Sequence, residues 1–178
     1  MIHSPIVISG VPACGKTSFG DWLRDNRSFK HLDMEATAQH DQTRQLWTYF
    51  ASGQRAKVEE ALQKLRAGFE RLVVTWGFVP NETGLGILST FRDQGYELWW
   101  FTGPIDKARE EWVRRDNRPD SQLFDGQMAN IGRAKHALNS LYAETTIQTL
   151  EADGSRMPSE AIEARIISYQ TQRHGQES

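Results

Sequence analysis

Apolar positions along this chain alternate between two periods, and the alternation outlines a fold. Short runs of β-branched and aromatic residues, bounded by Gly, Pro or Asp, read as buried strands over residues 5–9, 29–33, 71–76, 96–102 and 145–150. Between them apolar residues recur three and four positions apart, the spacing that places them on one helix face. Phe19, Trp22 and Leu23 form one such face, and Leu46, Trp47 and Phe50 a second within residues 35–51. Val58, Ala61, Leu62, Leu65 and Phe69 form a third. Leu85, Leu88 and Phe91 mark a helix ended near Gly95, and a charge-rich helix is expected over 105–115. Asn117, Arg118, Pro119 and Asp120 interrupt the pattern before a helix over 121–141. The last helix is expected over 158–169, with Pro158 in its first turn and a frayed tail from His174. Five strands with crossover helices predict an α/β fold, a three-layer α/β/α sandwich around a five-stranded parallel sheet. Ligands of such sheets collect beyond the carboxyl ends of the strands, so the strand ends become the places to search for chemistry.

Composition narrows the class. At 178 residues, without internal repeat, low-complexity tract or linker, the chain is expected to form a single domain over 1–178. A net charge of −2 argues against a general nucleic-acid partner and leaves only a local basic patch open. One cysteine excludes an internal disulfide and a cysteine-cluster zinc site. No apolar stretch approaches the ~20 residues that span a bilayer, and Met1 to Pro5 lead straight into the first strand, so no membrane partner and a cytoplasmic location are expected.

The first strand ends in the most specific signal of the chain. Gly10, Val11, Pro12, Ala13, Cys14, Gly15, Lys16 and Thr17 match G-x-x-x-x-G-K-[ST], the P-loop, between a strand and a helix as the motif requires. Its glycines let the backbone wrap around phosphates with successive N–H groups pointing inward, and the helix that follows, with Ser18 in its first turn, adds the positive end of its dipole. Lys16 is expected on the β- and γ-phosphates and the Thr17 hydroxyl on Mg²⁺. The chain is therefore expected to bind a nucleoside triphosphate. Cys14 works through its backbone and is not expected in catalysis, although its thiol is a candidate for oxidation.

The second strand ends in Asp33-Met34-Glu35. Two carboxylates past a strand end suit a phosphate cleft, one near Mg²⁺ and one near an acceptor hydroxyl, because an attacking hydroxyl must be oriented and lose its proton. Asp33 is the principal candidate for both tasks and Glu35 the second; helix capping is the alternative use of either acid. The third strand carries no acid at its end, which raises the weight on Asp33 and leaves Glu82 as a weaker substitute. There Trp76, Gly77 and Phe78 are expected either to form an aromatic substrate wall or to pack in the core. After the fourth strand come Lys107, Arg109, Arg114, Arg115 and Arg118. Arginines suit the charge of a transferring phosphoryl group, and the Pro-containing break predicts a lid over about 107–120; interspersed Glu110, Glu111 and Asp116 favour a plain solvated face.

With these residues in view, the chain resembles the small P-loop kinases: shikimate kinase, gluconate kinase and their nucleoside- and nucleotide-kinase relatives within the P-loop NTPases. The likeness is strongest at residues 10–17, extends to Asp33-Met34-Glu35 at the place of an Asp-x-Asp acceptor motif, and continues into the arginine-rich segment. It implies ATP and Mg²⁺ as cofactors, Thr17 and Asp33 at the metal, and Arg109 near the adenine. It also implies Arg114, Arg115 or Arg118 over the phosphates, with Lys16, Asp33, Arg114 and Arg115 as the catalytic set. The Asp153-Gly154 turn resembles the loop that flanks the base. Two departures bear on the acceptor: Trp76-Gly77-Phe78-Val79-Pro80 stands where shikimate kinases are Gly-rich, and Glu35 replaces the second Asp. The expected activity is transfer of the γ-phosphate of ATP to a hydroxyl of a small metabolite. A nucleotide or polynucleotide-end kinase, and an ATPase switch acting through a protein partner, are the alternatives.

Overall fold

A computed structural model describes residues 2–35, 41–77, 80–116 and 122–176. Arg118, Phe78 and the side chain of Trp47 lie outside them. The strands are β1 (Ile6–Gly10), β2 (Lys30–Asp33), β3 (Leu72–Thr75), β4 (Glu97–Thr102) and β5 (Thr146–Gln148). The helices are α1 (Lys16–Arg27), α2 (Asp41–Ala51), α3 (Arg55–Gly68), α4 (Glu82–Asp93), α5 (Ile105–Asp116), α6 (Gln122–Arg133), α7 (Lys135–Leu141) and α8 (Ser159–Gln176). All strand pairs are parallel, in the order β2-β3-β1-β4-β5. The order reverses around β1, so the loop leaving β1 opens into a crevice beside β3 and β4.

Register decides which residues meet which layer. Ile8, Trp99 and Thr75 lie at one level, and Phe101 shares their face by strand alternation. On that face Phe19 of α1 packs against Phe101 with ring centroids 5.7 Å apart, and Tyr169 of α8 meets Trp99 edge-on at 5.4 Å. The opposite face presents Ser9 and Trp100, the latter covered by Tyr142 beyond α7. Val58, Leu62 and Leu65, the buried stripe of α3, complete the core with Leu88 and Phe91 of α4. Among the described residues no helix is long and apolar enough to cross a membrane.

Four boundaries differ from the pattern-based expectation. The helix expected over 121–141 divides at Ala134, whose φ −89° and ψ 5° leave the helical region. β5 is shorter because Thr149 turns its hydroxyl onto the Cys14 carbonyl at 2.7 Å and Leu150 bridges antiparallel to Arg156. α8 runs to Gln176 rather than fraying at His174: buried Gln170 accepts from the His3 amide at 2.9 Å and donates to Glu97 at 3.0 Å, anchoring the final turns. α4 begins at Glu82, earlier than its apolar stripe, because the Asn81 side chain caps it through the Gly84 amide at 2.8 Å.

Candidate active site

The phosphate loop is held from two sides. Gly10 has φ +146°, and a Cβ there would lie 2.1 Å from the Phe101 carbonyl, so close approach to β4 admits only glycine. The Val11 amide donates to that carbonyl at 2.9 Å, and the Thr149 hydroxyl fixes the far side through Cys14. Ala13 and Gly15 take positive φ (62° and 80°), curling the backbone into a concave nest. α1 begins at Lys16 without a side-chain cap, so its first amides keep their hydrogen-bonding capacity for an anion. Cys14 is buried, and that burial pushes its thiol up to about 11 against the opposing Lys16 and Arg156 charges. It is protonated near neutrality and shielded, contrary to the oxidation expected of it.

Side chains converge on this loop from the ends of β1 and β2, beside Gly77 after β3. Lys16 folds back, donating to the Val11 carbonyl at 3.0 Å and the Gly10 carbonyl at 3.3 Å. Desolvation lowers its pKa, and the nearby Glu35 opposes that shift. The Thr17 hydroxyl donates to Asp33 Oδ2 at 3.1 Å, while Asp33 Oδ1 accepts from the Glu35 amide at 2.9 Å. Glu35 lies over Gly77, where an added Cβ would fall 2.3 Å from Oε1. Desolvation against that wall pushes the Glu35 carboxyl up and the Asp33 charge adds to it, against Lys16 and Arg115.

The arginine-rich segment divides. Arg115 lines the cleft with Glu35, Gly77, Trp112 and Gln127, its guanidinium 5.0 Å from the Trp112 ring centroid. Arg114 instead pairs with Glu111 at 2.7 Å and points to solvent. Arg109 pairs with Asp125 across α5 and α6 and does not line the cleft. Glu82 is exposed in the first turn of α4, away from it. Trp76 is buried in the core, so no wall forms from it. At the acid-free end of β3, Thr75 holds His31 Nε2 at 2.8 Å, and His31 Nδ1 meets Asp21 at 3.0 Å.

Sequence reading missed Arg156. The Asp153-Gly154 turn closes through the Ser155 amide on Asp153 at 2.8 Å and folds Arg156 back over the loop. There its guanidinium reaches Ser18 Oγ at 3.3 Å, the Ala13 carbonyl at 3.4 Å and Glu111 at 2.7 Å. The turn was visible as Asp-Gly; the reach of a residue across 143 positions to Ala13 was not. The cleft that remains measures about 110 Å³. A larger one of about 410 Å³, between α2 and α3 beside Tyr49 and Phe69, is lined by none of these groups.

The donor set fits a magnesium nucleotide. Mg²⁺ keeps several waters and takes one or two protein oxygens beside substrate phosphates, which a hydroxyl–carboxylate pair such as Thr17 and Asp33 provides. Among the described residues no cluster of three or more His, Cys, Asp or Glu side chains offers an all-protein metal cage.

No protein-family model and no curated protein matches the chain. Among solved structures it is similar to a gluconokinase from Sinorhizobium meliloti 1021, at 16% identity over 99% of both chains with a TM-score of 0.60. It is also similar to the tunicamycin resistance protein of Deinococcus radiodurans, at 17% identity over 93% of this chain and 95% of that one, TM-score 0.56. Shikimate kinase from Acinetobacter baumannii, in complex with shikimate, aligns at 18% identity over 97% and 96% of the two chains, TM-score 0.53. The fold is that of the small P-loop kinases, end to end.

Proposed function

We propose that this protein is an ATP-dependent phosphotransferase that moves the γ-phosphoryl group of ATP to a hydroxyl of a small metabolite. The observation that carries the reading is convergence: the P-loop nest, Thr17 and the Glu35 carboxylate line one cleft, and Asp33 accepts a hydrogen bond from Thr17 at its edge. Lys16 leaves its own loop carbonyls for the β- and γ-phosphates, and the α1 amides take the remaining oxygens. Thr17 and Asp33 would hold Mg²⁺, which would supply charge neutralisation for the phosphates. With Asp33 engaged there, Glu35 is the carboxylate that orients the acceptor hydroxyl and accepts its proton as the new O–P bond forms and ADP leaves. Arg115 offsets charge on the transferring group, and residues around 107–120 act as the lid. Arg156, folded over the loop onto Ser18 and Ala13, exchanges those contacts for a nucleotide phosphate when the triphosphate enters.

A small neutral or weakly charged acceptor is favoured over a polynucleotide end, since Arg109 and Arg114 are committed to Asp125 and Glu111. A partner-driven switch is disfavoured: among the described residues only Ile105 and Leu123 are large apolar side chains left exposed. The nucleotide requirement fits the cytoplasm. The test is ADP release from Mg-ATP with pooled sugar acids and polyols, nucleosides, nucleoside monophosphates and oligonucleotide 5′ ends, with Lys16→Ala as blank. A Lys16-dependent rise with one small-molecule pool supports the reading. A rise only with oligonucleotides, or a basal rate indifferent to every pool, rejects it.

A further inference from the structure

Two side-chain rungs join α1 to β2. The outer rung is the Thr17 hydroxyl on Asp33 Oδ2, 3.1 Å long and exposed. The inner rung lies one helical turn further along α1 and two residues back along β2, where Asp21 Oδ1 stands 3.0 Å from His31 Nδ1. Residues four apart on a helix share a face, and so do residues two apart on a strand, so both rungs span the same seam. The inner one is tightly built. The His31 side chain is only 4% exposed. A Cβ on Gly20 would fall 2.5 Å from His31 Nε2, so α1 rests on the ring itself. From β3, Thr75 Oγ1 holds that same nitrogen at 2.8 Å.

A carboxylate only accepts, so Nδ1 carries a proton toward Asp21, while Nε2 meets a hydroxyl that can give or take a hydrogen bond. An apolar side chain at this position would pack against α1 without the cost of burying polar atoms. What the imidazole adds is direction, because its two fixed nitrogens set the phase of α1 against β2 and β3. Thr75 is the junction. It pairs in register with Asp33, and its carbonyl accepts from the Met34 amide at 2.9 Å, so it also shapes the turn from Asp33 to Glu35. We propose that Asp21, His31 and Thr75 are positioning residues for magnesium-nucleotide binding, fixing the separation of Thr17 and Asp33 through α1 and the end of β2. The inference rests on the reading of Thr17 and Asp33 as the pair that would hold Mg²⁺. Supports behind metal-binding groups act in this way, by orienting oxygens they do not replace.

The test reads equilibrium binding rather than turnover. ATP is titrated calorimetrically with Mg²⁺ present and again in EDTA, and the ratio of the two affinities gives the metal preference. Thr75→Val keeps the volume of the site and removes the hydroxyl. It should lower the metal preference about tenfold, the scale of supporting substitutions at metal sites, and leave the affinity in EDTA unchanged. Thr75→Ser keeps the hydroxyl and should restore the wild-type ratio. Asp21→Ala should act as Thr75→Val does, and because the Asp21 side chain is 41% exposed it keeps the fold even if Thr75→Val does not. Arg24→Ala removes only the surface partner of Asp21 and should leave the ratio unchanged. A merely structural role would lower both affinities together. A wild-type preference that survives in Asp21→Ala and in folded Thr75→Val, equal losses with and without Mg²⁺, or a Thr75→Ser ratio as low as that of Thr75→Val would overturn this inference alone. No metal preference in wild type would overturn it together with the Thr17–Asp33 reading.

Discussion

The phosphate loop and helix α5 use charge in opposite ways. Around the loop, Lys16, Thr17, Asp33 and Glu35 come from separate strand ends and turn toward one point. Along α5 the charges meet one another: Lys107 with Glu110 at 2.9 Å, Arg114 with Glu111 at 2.7 Å, and Arg109 with Asp125. Only Arg115 of that helix's arginines lines the cleft. Such exposed pairs contribute little and are broken readily by salt. The lesson is that density of charge does not mark a site; convergence onto a shared cavity does.

Substitutions that separate the two regions give effects of graded size. The largest is expected from Glu35→Gln, a fall in kcat of about 10²–10⁴ with nucleotide affinity kept, read by steady-state turnover. Glu35 works as a base only when ionised, and its pKa stands above its ordinary 4.5, so wild-type kcat/KM should fall as pH drops through that raised value. Next comes a contrast between neighbours. Arg115→Ala should lower kcat by about 10² while Arg114→Ala stays within a few-fold, and equal losses would erase the distinction drawn between cleft and surface. Smallest is Arg156→Ala, which should weaken ATP roughly tenfold in equilibrium titration with little change in kcat. Tighter ATP binding in that variant would mean that Arg156 only blocks the loop.

The same contrast explains what could be read from residues alone. The phosphate loop was legible because eight consecutive positions build it, and their backbone requirements appear as Gly10 and Gly15 at a fixed spacing. Asp33 was legible as an acid at a strand end. Its hydrogen bond from Thr17 was not, because that depends on how closely β2 lies to α1. Gly77 stood in a segment expected either to wall a substrate site or to pack in the core, whereas its missing Cβ is what gives Glu35 room. Arg114 and Arg115 are adjacent and identical in type; only helix phase and the placement of Glu111 send one to solvent and the other to the cleft. Arg156 was silent, since a turn residue reveals that the chain reverses but not what the reversal lies against. Strand existence followed from apolar runs, and the end of α8 did not, because Gln170 binds groups 73 and 167 positions away.

We expect the convergent region, and not the paired surface charges of α5, to bind a magnesium nucleotide. Calorimetric titration of Mg-ATP into wild type, Lys16→Ala and Arg109→Ala tests it without needing the acceptor. One saturable site is expected in wild type, unchanged in Arg109→Ala and lost or weakened at least about tenfold in Lys16→Ala. Absence of binding in wild type, or equal affinity in Lys16→Ala, would contradict it.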